Sequence, residues 1–206
     1  MIFLADDYID KYCNTISYLI GRSITENYSF DYIEKSIAYS AVISELEKSN
    51  ITTIAYTSLE RIYSDIFPFN ENKYLLDIYG IYGWVGFAYI HLFLKLQITF
   101  EALFTLIPIK EMLKLYKLYH EMDINRLVDY IKEKMEYPIL DILMKNKNIS
   151  CNKLSKETSI PLSTIKALRY GIRDIGKMES SKLLVIAREL NVKMETLLGN
   201  IYLKME

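Results

Sequence analysis

His120, Glu121 and Asp123 bring an imidazole and two carboxylates into one short stretch, the grouping in this chain closest to acid–base machinery. A carboxylate that orients an imidazole makes it a better general base. Asp123 has a simpler use, however, because a short acidic side chain suits the cap of the helix that follows it. Cys13, Cys151, His91 and His120 are the full complement of thiols and imidazoles. They show neither C-x-x-C nor H-x-x-x-H spacing, so they offer no four-ligand zinc set and no disulfide framework. No nucleophile elbow, Walker loop or dinucleotide fingerprint accompanies them. We therefore expect no metal, no cofactor and no enzyme, and read His91, at helical spacing from Trp84 and Ala88, as a core histidine.

Charge marks a second kind of chemistry and also locates a boundary. Residues 1–137 hold 13 Lys+Arg against 19 Asp+Glu, a balance of −6, whereas residues 138–206 hold 12 against 7, a balance of +5. An acidic segment followed by a basic one predicts that the second meets a polyanion and the first does not. The acidic residues from Asp6 onward also deny the N-terminus the basic start of a secretory signal, which with the sparse cysteines points to the cytoplasm.

The elements that must position these groups read as helices throughout. Ala5, Ile9, Tyr12, Ile16 and Leu19 recur at helical spacing from Ile2 and predict a first helix that stops at Gly21. A second is expected over about 31–47 with Ile33, Ile37, Ala41 and Leu46 inward. Leu59, Ile62, Ile66 and Phe67 form a third, closed by Pro68. Pro108 suits the first turn of a helix with Ile109, Met112, Leu113, Tyr116 and Tyr119 on one face, and Asp123 caps another that buries Leu127, Val128, Ile131 and Met135. Pro138 interrupts that pattern. The uncharged run Ile78–Leu94 is at the short limit for a membrane span, and its glycines, tyrosines and His91 fit a buried helix better. With no sustained two-residue alternation, the fold class is all-α. The 18 tyrosines supply packing and contact surface, since a phenol buries its ring while keeping a polar tip.

Within the basic segment, "LSKETSIPLSTIKALRYG" reads as two short helices around a tight turn. Leu154, Ile160, Ile165 and Leu168 supply a shared core, Ser155 the small residue at the crossing, and Gly171 a left-handed end to the second helix. Leu183, Leu184, Ala187 and Leu190 form a further amphipathic helix, followed by Val192, Leu197 and Leu198, so that Pro138 to Gly199 accommodates five short helices. This pattern resembles the Cro/C1-type helix-turn-helix family of bacterial and phage repressors. Leu154, Ile160, Ile165, Gly171, Ala187 and Leu190 fill the family's places, while Ser155 stands for its alanine and Ser159 for its turn glycine. The resemblance implies that the second helix enters the major groove of DNA. Leu162, Ser163 and Ala167 would then face bases, with Ser163 offering a hydrogen bond and the other two apolar contact with thymine methyls. Lys166, Arg169, Tyr170 and Arg173 suit phosphates.

Residues 82–123, with Trp84, Gly86 and Tyr89 and then Tyr119, His120, Met122 and Asp123, resemble a region of uncharacterised bacterial proteins from toxin–antitoxin loci. Taken together these readings predict a DNA-binding regulator with a helical dimerisation or partner-binding domain over 1–137 and a helix-turn-helix domain over 138–206. Its expected partners are double-stranded DNA, a second copy of itself and a cognate toxin, the chain acting as an autoregulating antitoxin. A phage-like or other non-antitoxin repressor, and a protein-interaction module with a vestigial helix-turn-helix, remain as alternatives.

Overall fold

The structure, a computed structural model, describes residues 6–68 and 80–198. Expectations resting on Ile2, Ala5, Ile78 and Gly199 lie outside the described residues. All the regular elements among the described residues are helical, with no strand. The chain divides into two compact units between Val128 and Asp129. In the first unit are α1 (Asp6–Thr25), α2 (Phe30–Ala38), α3 (Ala41–Glu47), α4 (Thr52–Tyr56), α5 (Leu59–Ile66), α6 (Ile81–Leu96), α7 (Phe100–Leu106) and α8 (Ile109–Tyr119). The division falls inside α9 (Ile124–Met135), and the second unit continues with α10 (Ile139–Asn146), α11 (Cys151–Thr158), α12 (Leu162–Arg169), α13 (Ser180–Glu189) and α14 (Met194–Leu197).

The first unit is organised around α1 and α6, which pack along most of their shared length. Their approach is close because Gly86 presents no side chain: a Cβ there would overlap Ser17 Oγ and the Cys13 carbonyl. Ser17 meets the same demand from the other side, turning its hydroxyl back to donate to Cys13 O at 2.7 Å. α6 buries Val85, Ala88, Tyr89, Ile90, Leu92 and Phe93, and is apolar around its circumference as a central helix must be. No helix among the described residues is long and apolar enough to cross a membrane.

Three fully buried tyrosines show how a phenol is accommodated. Tyr12 donates to Asn50 O at 2.8 Å, Tyr63 to Glu26 Oε2 at 2.9 Å and Tyr89 to Ile107 O at 2.7 Å, so each of the three hydroxyls is satisfied. Glu26 also accepts from Arg22 Nε at 2.9 Å, with its side chain 1% exposed. Helix starts are fixed by side-chain caps from Ser29, Ser40, Ser58 and Thr99, each worth about 1 kcal/mol. Carboxylates from distant helices add to this: Glu47 accepts from Phe100 N at the start of α7, beside the Thr99 cap, and Glu34 accepts from Ile109 N at the start of α8.

Several expected boundaries shift. Gly21 does not end α1, which runs on to Thr25; it is buried in mid-helix, where an added Cβ would come within 3.1 Å of Tyr82. Its role is close approach rather than chain reversal. The helix expected over 31–47 is two helices, because Ser40 leaves the helical conformation and caps α3 through Ile43 N. That break turns Ala41 outward and brings Val42 and Ile43 into the core. On α13, Ile186 is fully buried and Leu184 is 37% exposed, the reverse of the expected face at that position.

Candidate nucleic-acid interface

The second unit has its own core, in which Leu140, Leu143 and Met144 of α10 meet Leu154 of α11, Ile165 and Leu168 of α12, and Leu183, Ile186 and Leu190 around α13. The packing of α11 against both α12 and α13 sets the angle at which α12 is presented. Ser150 caps α11 by accepting from Lys153 N at 3.2 Å, and Thr158 near its end donates back to Leu154 O at 2.6 Å.

The turn between α11 and α12 is held by the two residues that depart from the family pattern. Ser159 sits at φ 57°, ψ 20°, in the left-handed region that glycine occupies without strain. Ser155 remains small enough for the crossing and uses its hydroxyl to donate to Ile160 O at 2.6 Å, tying the end of the turn back to α11. Because a left-handed residue with a Cβ costs about 1 kcal/mol and Ser159 is exposed, Ser159→Gly is expected to stabilise this unit by about that amount. Chemical denaturation of the full chain, followed on the transition of this unit, checks the shift. At the other end of α12, Gly171 adopts φ 70°, as its place in the pattern requires, and Arg173 N closes the turn onto Ala167 O at 3.1 Å.

On α12, Ile165 and Leu168 point inward while Ser163 and Lys166 are exposed, and Tyr170, the residue that caps its C-terminal end, is exposed four residues on from Lys166. Ala167 is half-buried beside it. Leu162 is half-buried and packs on the core, which leaves only part of its surface for another contact. Arg173 is exposed in the loop that follows. Neither Lys166 nor Arg173 pairs with a carboxylate among the described residues. Arg169 is different: its Nε donates to Asp141 Oδ1 at 2.7 Å and its Nη1 to Cys151 Sγ at 3.6 Å. Burial would raise the Asp141 carboxyl, but hydrogen bonds and positive charge from Lys145 and Arg169 outweigh it and hold the group below the usual carboxylate range. Asp141 lies 28 residues from Arg169, and nothing in the local pattern announces the pair.

Residues 139–201 match the family model of the Cro/C1-type HTH DNA-binding domain. This segment is a Cro/C1-type helix-turn-helix domain. No curated protein and no solved structure matches the chain. Within the Cro/C1-type domain α11 and α12 stand in the places of the helix-turn-helix pair, whose second helix in DNA-binding proteins of this type lies in the major groove.

The acid–base grouping resolves differently. His120 Nδ1 lies 2.8 Å from Tyr116 O, and its ring stacks on Tyr116. Its Nε2 is 3.5 Å from Glu121 Oε1. Asp123 accepts from Asn125 N at 2.7 Å, which is the capping role expected of it at the start of α9. His91 is half-buried with its ring tilted against that of Phe87, centroids 4.1 Å apart, and burial and then Lys95 lower its pKa. Among the described residues no cluster of His, Cys, Asp or Glu could hold a metal ion.

Proposed function

We propose that the chain is a transcription regulator that reads double-stranded DNA through the outward face of α12, acting as a homodimer in the cytoplasm. The observation that carries this reading is the exposed row of Ser163 and Lys166 on α12, continued by Tyr170 at its C-terminal cap, in a Cro/C1-type domain whose surrounding segment has a balance of +5. Ser163 is the base-reading donor, with Ala167 and the free edge of Leu162 against thymine methyls. Lys166, Tyr170 and Arg173 take phosphates. One hydrogen-bonding base reader per copy discriminates little, so two copies on half-sites about one helical turn apart are needed for useful selectivity.

In its finer form the reading is an autoregulating antitoxin, with residues 1–137 as the dimerisation and toxin-binding part. Their acidic balance supports a basic partner, and the exposed Tyr32, Tyr39 and Tyr56 offer aromatic contact surface. Selection of duplexes from a random pool by the full chain, with sedimentation of the complex, tests the DNA reading. Enrichment of a two-fold symmetric site bound by two copies is expected; enrichment of no sequence, or a strict monomer on the enriched duplex, contradicts it. Co-expression with the product of the adjacent gene tests the antitoxin form, which requires rescue of growth by residues 1–137 together with the Lys166→Ala variant of the full chain.

A further inference from the structure

Arg169 is the last residue of α12, and by type and place it resembles the phosphate-binding cations on either side of it. Its surroundings separate it from them. The Asp141 side chain is 10% exposed, and both of its oxygens are taken, Oδ1 by Arg169 Nε and Oδ2 by Lys145 Nζ, each at 2.7 Å. Arg169 Nη1 reaches Cys151, the first residue of α11. One guanidinium therefore ties the C-terminal end of α12 to α10 and to the start of α11.

We infer that Arg169 is a positioning residue for DNA recognition: held by Asp141, it fixes the rotation of α12 about its axis and so the direction in which Ser163 and Lys166 meet the groove. The inference rests on the DNA-binding reading above and adds to it. Removing Arg169 to a phosphate would leave the nearly buried Asp141 carboxylate with Oδ1 unpaired and only the exposed Lys145 on Oδ2, and that loss exceeds what one screened phosphate contact returns. A helix anchored only by apolar side chains, here Leu162, Ile165 and Leu168, can roll on an apolar surface, since hydrophobic packing is non-directional. A hydrogen-bonded ion pair at its end cannot follow such a roll without breaking. Base readout tolerates displacements of only about 0.5 Å, so the pair matters most to the contacts that carry sequence information.

The two roles for Arg169 predict opposite effects for a change at Asp141, which makes that residue the place to test them. The full chain and its Asp141→Asn, Arg169→Met and doubly substituted forms are titrated against one duplex enriched from a random pool and one unrelated duplex, at several salt concentrations. If Arg169 positions the helix, Asp141→Asn weakens binding to the enriched duplex by about tenfold, narrows the gap between the two duplexes and leaves the salt slope unchanged. Arg169→Met does the same. The double form, which buries no unpaired charge and so retains the fold, binds no worse than either single one. Unchanged or tighter binding by Asp141→Asn overturns the inference, because it is what freeing a phosphate contact would produce. So does a salt slope reduced by about 1.8 in Arg169→Met, which is what one lost phosphate contact in each of two copies would give. If the unmodified chain enriches no duplex, it is the DNA-binding reading itself that fails.

Discussion

Gly86→Ala is expected to destabilise the first unit by about 3 kcal/mol and to lower its melting temperature by about 10 °C. The added methyl has nowhere to go: it would overlap Ser17 Oγ and the Cys13 carbonyl, and the backbone of α1 cannot swing aside as a flexible side chain could. α1 and α6 form the largest helix contact of the unit, so separating them loosens the packing of α2, α4 and α5 on α1 and of α8 on α6 as well. Calorimetry of the full chain would show the first unit's transition shifted while that of the helix-turn-helix unit stays in place. A melting profile unchanged from the parent would mean that the helices cross further apart than the structure has them.

Replacing Lys166 and Arg173 together by alanine is expected to weaken binding about a hundredfold per protomer at roughly 0.1 M salt, because each phosphate contact contributes about tenfold through counterion release under those conditions. The loss should be nearly equal for an enriched and an unrelated duplex, since phosphates carry no sequence. Ser163→Ala should behave in the opposite way, with small loss of affinity on the unrelated duplex and a narrower preference for the enriched one. Fluorescence anisotropy with the two duplexes separates these effects. A sequence-dependent loss from the cationic pair would reassign one of its members to the bases.

The helix-turn-helix was legible because its demands are local. Gly171 had to be left-handed within one turn of Leu168, the apolar positions from Leu154 to Leu168 repeat at helical spacing, and the segment that holds them, 138–206, carries a balance of +5. Ser159 was legible for the same reason: the turn dictates its backbone whatever its side chain. The first unit was less so. Gly21 and Gly86 look alike to a reading of helix ends, yet both are mid-helix residues whose partners, Tyr82 and Ser17, lie more than sixty positions away. The break at Ser40 was hidden because Ile37 and Ala41 still satisfy a four-residue spacing, while the cap from Ser40 to Ile43 N starts a new helix there. The Asp141–Arg169 pair escaped for a related cause, as a long-range bond between opposite charges leaves no periodic trace.

Binding of DNA by the outward face of α12 is tested most directly by the salt dependence of full-length binding before and after substitution of Lys166 and Arg173. For a homodimer with these two phosphate contacts in each copy, log K should fall linearly with log salt with a slope of about −3.6 or steeper, and the substituted chain should lose about 3.6 from that slope. A chain that binds no duplex at low salt would contradict the account, and so would one whose slope is untouched by the two substitutions.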